Sequence, residues 1–411
     1  MTGATRLSAL IVNHDSGAWA LRCVESLQEA WRREGRDPEL LEIIVVDSGS
    51  NPAEATWWRS LRRAGARVRE APGNVGYATG LNLAYEQSHG VHDDVVALLN
   101  PDLHFLPGSI APLLARLEDP AVGAVAPRIF LDEERQLRLP QNLLPTPGRE
   151  LGELFASRFR RLVRPWGRSR TARSHDFWTA SEPHQAEMLS GACMFLRRGV
   201  VEELGGPMDA RYPLYFEDAD LCVRLTRSGY RLETEPAAEV LHHWSRSAGP
   251  IFEGEVARRH ALGRALFQGT HHRGPLDRCL RWLAPRIQGW LERRAPQAPH
   301  AVEELGSLVE SPELEFQGPG PHLLELSLTP WWGLAAGVLV DGQDYRCPAR
   351  TWSWLFPGTY YLRALEPESG ALLGAWSFEK HGPARSWPLE VVGRGDHAQR
   401  VSVPGAGERV G

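Results

Sequence analysis

The sequence predicts an α/β protein: a strand-and-helix sheet domain, then a helical basic extension, then a small C-terminal β-sandwich. Three observations predict it. Short apolar runs end one after another in polar or acidic turns, and helical periodicity lies between the first two of them. Beyond about residue 310, short strand-like runs alternate with turn signals.

The first run, Leu7 to Val12, opens into Asn13-His14-Asp15-Ser16. Leu21, Val24, Leu27 and Trp31 then recur at the spacing of one helical face. Leu41 to Val46 follows and runs into Asp47-Ser48-Gly49-Ser50-Asn51. Strand, helix, strand implies parallel pairing with a right-handed crossover. A third apolar run, Val95 to Leu99, ends in Asn100-Pro101-Asp102. Ligands of open α/β sheets bind outside the carboxyl ends of the strands. Asp15, Asp47 and Asp102 are therefore expected along one sheet edge. For Asp47 the plainer alternative is a turn or helix cap before Pro52.

The next segments supply further candidates. Asn74-Val75-Gly76-Tyr77-Ala78-Thr79-Gly80-Leu81-Asn82 is a glycine-punctuated turn opening a helix. Backbone amides there can face an anion, although alone the segment reads as a cap. Leu189 to Leu196 reads as a strand whose start, Ser190-Gly191-Ala192, is small enough for close approach of a ligand to backbone. Tyr215-Phe216-Glu217-Asp218-Ala219-Asp220 carries three carboxylates behind two aromatic rings. Acids complement a helix start, which accounts for one or two of the three. Close carboxylates beside apolar rings raise one another's pKa, which suits a general base. Val240-Leu241-His242-His243 places paired histidines after a short apolar strand, a position for a metal ligand or phosphate contact.

Composition bounds the rest. The 411 residues suffice for two or three domains. A formal net charge of -5 argues against a nucleic-acid partner. Lys380 is the only lysine, which reads as codon bias. Cys23, Cys193, Cys222, Cys279 and Cys347 lack paired spacing, so neither a disulfide framework nor structural zinc is expected. Neither a signal segment nor a membrane-length apolar run is visible, and a cytoplasmic location is expected.

In their order and spacing these motifs resemble the family 2 inverting glycosyltransferases, in particular the rhamnosyltransferase-like enzymes of bacterial polysaccharide assembly in the cell envelope. The resemblance spans roughly residues 6 to 275. It rests on the Val-Val-Asp turn at Asp47, Asn74-x-Gly76-Tyr77, Asn100-Pro101-Asp102, Ser190-Gly191, Phe216-Glu217-Asp218-x-Asp220, and His242 followed by Ser247. It implies a GT-A fold, a nucleotide-sugar donor (a dTDP-, UDP- or GDP-sugar) and a divalent cation, Mg²⁺ or Mn²⁺. Asp47 matches the acid that reads the donor base. Asp102 and His242 match metal ligands, with Asn100 standing where the family's first DxD acid is found. Asp218 matches the catalytic base. The resemblance puts Asn13, Asp15, Asn74, Gly76, Asn82 and Asn100 on the donor side, and Ser190, Gly191, Glu217 and Asp220 on the acceptor side. Asp15 departs from the usual first-strand motif, which ends in Asn. The implied acceptor is a saccharide or a lipid-linked saccharide, with dTDP-rhamnose the first donor considered.

Domain expectations follow: residues 1–250 catalytic, 251–305 a basic helical extension, 310–411 an accessory β-sandwich. The extension carries Arg273, Arg278, Arg281, Arg286, Arg293 and Arg294 among Trp282, Ile287, Trp290 and Leu291. The four apolar residues are compatible with one helical face, and such a helix either packs on the catalytic domain or lies at a membrane interface. A second basic segment holds Arg158, Arg160, Arg161, Arg164, Arg168, Arg170 and Arg173. Trp331, Trp332, Trp352, Trp354, Trp376 and Trp387 are either sandwich core or sugar-stacking faces. Alternation puts Trp352 and Trp354 on one sheet face. Two other functions stay open: a non-catalytic carbohydrate-binding protein on a transferase scaffold, and another nucleotide-binding α/β enzyme, against which the lack of GxGxxG after the first strand counts.

Overall fold

The computed structural model describes residues 5–243, 254–291, 293–316, 320–382, 388–390 and 400–402. Trp244, Ser245, Arg246, Ser247 and Trp387 lie outside the described residues, as does the side chain of Arg160.

The N-terminal half alternates as β1 (Leu7–Asn13), α1 (Gly17–Arg33), β2 (Leu41–Asp47), α2 (Ala55–Arg63), β3 (Arg67–Glu70), α3 (Tyr77–Gln87), β4 (Val95–Leu99), β5 (Leu103–Phe105), α4 (Ile110–Arg116) and β6 (Val122–Phe130). Then come α5 (Pro147–Arg158), α6 (Arg160–Thr179), β7 (His184–Gln185), β8 (Cys193–Arg197), α7 (Arg198–Glu203), α8 (Glu217–Arg227) and β9 (Arg231–His242). Sheet order is β3-β2-β1-β4-β8-β6-β9-β5, with β7 on β9. β1 to β4 are parallel as expected. The sheet as a whole is mixed, because β8 enters antiparallel to both β4 and β6. The fold is the GT-A type of α/β sheet.

The apolar runs are continuous because both sheet faces are covered. Leu7, Ala9, Ile11, Val45 and Ala97 point to one face and pack on Leu21, Val24, Leu27 and Trp31 of α1. Leu10, Val12, Val46 and Leu98 point to the other and pack on Ala78, Leu81 and Ala84 of α3 and Leu221, Cys222 and Leu225 of α8. Burial from both sides fixes the register, and so fixes which residues reach the carboxyl edge.

The extension is the pair α9 (Gly254–His271) and α10 (Pro275–Leu291). Its apolar residues do not share one face: Leu291 is buried while Trp282 and Trp290 are exposed. At 100° per residue the four positions span half the helix circumference, too broad for a single packing stripe.

The C-terminal sheet begins at Glu303, earlier than expected. It comprises β10 (Glu303–Leu308), β11 (Glu313–Glu315), β12 (His322–Ser327), β13 (Ala335–Val340), β14 (Asp344–Arg346), α11 (Ala349–Trp354), β15 (Gly358–Leu365) and β16 (Leu372–Lys380). Five strands run in the order β10-β16-β15-β12-β13, and the second layer is only the β11–β14 ribbon with α11. Trp352 and Trp354 sit on that helix, not on a strand. Pro348 at its N-cap has no N–H for a sheet ladder, which ends the strand pattern there. Trp332, Trp352, Trp354 and Trp376 are buried.

This sheet is joined to the catalytic half through polar contacts. Arg138 N donates to Gly337 O at 2.9 Å and Gly337 N to Arg138 O at 3.0 Å. Glu325, fully buried, accepts Arg363 Nε at 2.7 Å and Thr171 Oγ1 at 3.1 Å, and Arg170 Nη2 lies 3.6 Å away. Arg170 and Thr171 are on α6; most of the other arginines in that basic segment face outward.

Candidate active site

The carboxyl edge of the sheet is built by backbone turns at the ends of β1 and β2. Asp47 Oδ1 accepts Asn13 Nδ2 at 2.8 Å and Ser50 Oγ at 2.5 Å; Oδ2 accepts Ser50 N at 3.1 Å and keeps a further lone pair. Asn13 is fully buried; besides holding Asp47, its Nδ2 donates to Ser50 Oγ at 3.2 Å and its Oδ1 accepts Ser16 Oγ at 2.9 Å. Asp15 stands exposed in the left-handed region (φ 50°), where its Oδ1 accepts Asn51 N at 2.7 Å. Gly49 has φ 66°, and a Cβ there would lie 2.4 Å from the Gly73 carbonyl carbon. The two loops touch at that point, and only glycine permits it. His14 Nδ1 lies 2.9 Å from Ser48 O, so that nitrogen carries the proton and Nε2 accepts Asn74 Nδ2 at 3.2 Å. Asn74 also accepts Gly76 N at 3.1 Å, which closes the turn before α3.

Asn82 does not join this edge. Its Nδ2 donates to Met208 O at 2.9 Å and its Oδ1 accepts Met208 N at 3.1 Å. Both ends of the amide are used, so the expected donor contact is replaced by a clamp between α3 and the 208 loop.

Asp102 lies at the turn between β4 and β5, and β5 pairs with β9 so that Leu103 faces His242. This register brings His242 Nε2 to 3.3 Å from Asp102 Oδ1 and to 3.3 Å from Asn100 Nδ2. Burial works against the Asp102 charge, but the attraction and hydrogen bond of His242, with His243 and a backbone N–H, together outweigh it and hold the carboxyl below its ordinary value. Asp102 Oδ1 is buried without a hydrogen-bond partner. An anionic oxygen left open beside an imidazole fits one side of a divalent cation. Among the described residues no group of three His, Cys, Asp or Glu gathers around a common point. Such a cation would therefore take its other positions from substrate phosphates and water, as Mg²⁺ and Mn²⁺ sites commonly do.

Behind this pair stands a wall that sequence reading missed. His243 N donates to Asp102 O at 3.0 Å. Its ring stacks on Trp354 at 4.8 Å between centroids and lies 5.1 Å from Trp19. Burial pushes the His243 pKa down to about 3, so the ring is neutral. The paired histidines thus have different neighbours and different tasks. Trp354 comes from the C-terminal sheet region, and no local signal links it to Asp102.

The third group sits at the start of α8. Tyr215 and Phe216 both adopt left-handed φ, 64° and 69°, an arrangement that costs about 1–3 kcal/mol per residue. It turns Asp218 toward β8: Gly191 N donates to Asp218 Oδ2 at 3.1 Å and Ala219 N to Oδ1 at 2.8 Å. A Cβ on Gly191 would lie 2.8 Å from Asp218 Cβ, so glycine is required there. Burial raises the Asp218 pKa. Burial, with Asp218 beside it, pushes Glu217 up to about 8, and Glu217 Oε2 is buried without a partner. The pair therefore shares its ionisation.

Asp220, expected near the acceptor, is elsewhere. Its carboxylate holds Arg224 Nε at 2.8 Å, His271 Nε2 at 2.7 Å and Tyr212 Oη at 3.3 Å. It ties α8 to α9. Two residues on from Asp218 along a helix is about 200° around, which separates the two carboxylates.

The Asp102–His242 pair and the Glu217–Asp218 pair meet through β8. Asn100 N donates to Ala192 O at 2.8 Å, Gly191 holds Asp218, and Tyr77 Oη donates to Gly191 O at 3.0 Å. Ser190 Oγ caps the same turn by accepting Ala192 N at 3.2 Å. Tyr77 had only been read as part of a loop motif. Burial, with Glu217, Asp218 and Asp102 nearby, raises its pKa well above the ordinary value.

Residues 8–205 match the model of glycosyl transferase family 2. The chain is 29% identical over 295 residues to an N-acetylglucosaminyl-diphospho-decaprenol L-rhamnosyltransferase of Mycobacterium tuberculosis, covering 67% of this chain and 88% of that protein. It is 30% identical over 169 residues to the O-antigen biosynthesis protein RfbC of Myxococcus xanthus, covering 40% of this chain and 12% of that one. Among solved structures it resembles GalNAc-T7 with UDP, GalNAc and Mn²⁺, at 14% identity and a TM-score of 0.44, over 92% of this chain and 72% of that one.

Proposed function

We propose, for a chain that belongs to the family 2 glycosyltransferases and is rhamnosyltransferase-like, that it moves a hexose from a nucleotide-sugar to a lipid-linked saccharide with inversion. dTDP-rhamnose is the first donor to test, followed by UDP- and GDP-sugars. The observation that carries the reading is the convergence of Asp102 and His242 with Asp218 around Gly191.

Asp218 accepts the proton of the acceptor hydroxyl. Its two oxygens are oriented by Gly191 N and Ala219 N, so the accepting lone pair is held toward the substrate side. Glu217 keeps the shared proton at neutral pH, which leaves one negative charge on the pair. The acceptor oxygen bonds to the anomeric carbon as the bond to the donor diphosphate breaks on the opposite face, through an oxocarbenium-like transition state. Base assistance of this kind is worth roughly 10²–10⁴-fold in rate. A divalent cation held by Asp102 and His242 would neutralise charge on the leaving diphosphate. Asp47, Asp15, Asn74 and Gly76 bind the nucleotide end of the donor in this reading.

The lipid-linked acceptor is inferred from the decaprenol-linked substrate in the name of the M. tuberculosis relative. Among the described residues no helix is long and apolar enough to cross a membrane. Contact with the cytoplasmic membrane face is therefore proposed as peripheral. A donor panel with Mn²⁺, read as nucleoside diphosphate release, tests the function. Release from one donor in the presence of acceptor supports it; no release from any donor in the panel overturns it.

A further inference from the structure

We infer that the groove between α5, α9 and α10 binds the phosphorylated end of a lipid, with the outer face of α10 lying at the membrane surface beside it. The inference rests on the lipid-linked acceptor proposed above and adds where on this chain that acceptor is held.

The groove encloses about 590 Å³, within the usual range for small-molecule sites. Its apolar wall includes Leu151, Leu154, Ala261, Ala265, Pro285 and Trp331. Three arginines and two glutamates also line it. Glu150 accepts Gln268 Nε2 at 2.6 Å and lies 3.8 Å from Arg264; Glu153 accepts Trp331 Nε1 at 3.4 Å. Those contacts occupy both acids and Arg264. Arg158 lies over the Trp331 ring at 5.9 Å without a carboxylate, and Arg281 remains. Arg158 Nε and Nη1 and Arg281 Nε are buried without a hydrogen-bond partner. A buried guanidinium N–H left unpaired costs more than an ordinary lost hydrogen bond, and phosphate is the anion its fork matches best.

The outer face of α10 is a second, independent observation. Leu276, Trp282 and Trp290 are 71%, 61% and 44% exposed, and Cys279 is exposed on the same side. Positions 276, 279, 282, 286 and 290 recur every three or four residues, which aligns them along one face. Arg286 lies over the Trp282 ring at 4.1 Å and Arg294 over Trp290 at 4.4 Å. Exposed tryptophans interleaved with arginines suit an anionic bilayer surface, where rings enter the headgroup layer and cations meet phosphates.

The groove also lies one helix from the acid pair. On its other side α9 packs against the strained Tyr215–Phe216 turn: a Cβ on Gly263 would lie 2.7 Å from Tyr215 O, and His260 is 5.0 Å from the Phe216 ring. Ala261, Arg264, Ala265 and Gln268 of the same helix face the groove.

Calorimetry on the full chain tests this with farnesyl diphosphate, with inorganic diphosphate as the chain-less control. Farnesyl diphosphate should bind at least about tenfold tighter than inorganic diphosphate, because its chain adds apolar contact. The pair Arg158→Gln and Arg281→Gln should weaken it by at least about tenfold, and Leu151→Trp, which fills the groove, should block it. Trp282→Ser with Trp290→Ser should lower co-sedimentation with phosphatidylglycerol vesicles and leave farnesyl diphosphate affinity unchanged. Equal affinity for the two diphosphates would reduce the site to a simple anion site and overturn the inference. Unchanged binding in both groove variants would overturn it too. Donor hydrolysis without acceptor is measured alongside. If groove binding fails while donor hydrolysis persists, the inference falls and the transferase reading stands; if no donor is hydrolysed, that reading falls while the groove is still decided by binding.

Discussion

Asp102 is buried, yet its charge is held by His242, while Asp218 and Glu217 are buried beside each other and resist ionisation. The same low-dielectric setting therefore gives the carboxylates opposite ionisation preferences. Asp102→Ala is expected to abolish metal-dependent donor binding in calorimetry with Mn²⁺, with the fold intact because the contact from His243 N goes to the Asp102 backbone oxygen. Unchanged donor affinity would remove Asp102 from the metal site. Asp218→Asn should keep donor binding and lose at least about 10²-fold in transfer. Wild-type turnover would move the base to Glu217. Glu217 makes a stability prediction. Its folded pKa is about 8 against an ordinary value of 4.5, so across that window the folded state keeps a proton that the unfolded chain has lost. Stability should fall as pH rises from 4.5 toward 8. Glu217→Gln should flatten that part of the Tm-versus-pH curve, and a curve identical to wild type would contradict the buried-acid account. Transfer rate should rise with pH as Asp218, whose pKa burial raises, ionises.

At the scale of elements, α8 and the β4–β8 pairing decide what each acid does. One helix turn distributes Glu217, Asp218 and Asp220 to different sides, and only Asp218 meets Gly191. The acid cluster was legible in the sequence; its division into a base and a tie to α9 was not, because that depends on where His271 and Arg224 come to lie. The α11 helix is a similar case. Its Trp354 supports His243, which holds the Asp102 turn, so Trp354 acts as a positioning residue. Trp354→Ala should raise the Mn²⁺ concentration needed for half-maximal donor binding, and Trp354→Phe should restore it by refilling the stack. A loss of thermal stability with an unchanged Mn²⁺ requirement would confine Trp354 to packing.

Across the whole molecule, the C-terminal sheet is fastened to the catalytic half by buried charge. Glu325→Ala would leave Arg170 and Arg363 without their carboxylate, at a cost of roughly 3–5 kcal/mol, visible as a lowered Tm. An unaltered Tm would show that the network contributes little. A chain cut near residue 305 would expose Thr171, Arg170 and the Gly337 partner Arg138. It is expected to be insoluble, which a solubility and circular-dichroism comparison would check. A folded, donor-hydrolysing fragment would instead show that the catalytic half is self-sufficient.

Local physics determined much of this protein from sequence alone. Apolar runs with turn-forming ends gave the parallel strands β1, β2 and β4, and the helical spacing of Leu21, Val24, Leu27 and Trp31 gave α1 with its buried face. These signals repeat within a few residues, so a linear reading captures them. The motif positions at Asp47, Asp102, Glu217–Asp218 and His242 were legible for the same reason. The tertiary structure decided what distant segments do to one another. It set β8 antiparallel, spent Asn82 on Met208 and Asp220 on His271, and brought Trp354 to His243. Each of these side-chain pairs lies 51 or more residues apart along the chain, and the β8 pairing depends on strand register. Short-range periodicity carries no information about either, because only packing of the completed layers fixes which edges and side chains meet.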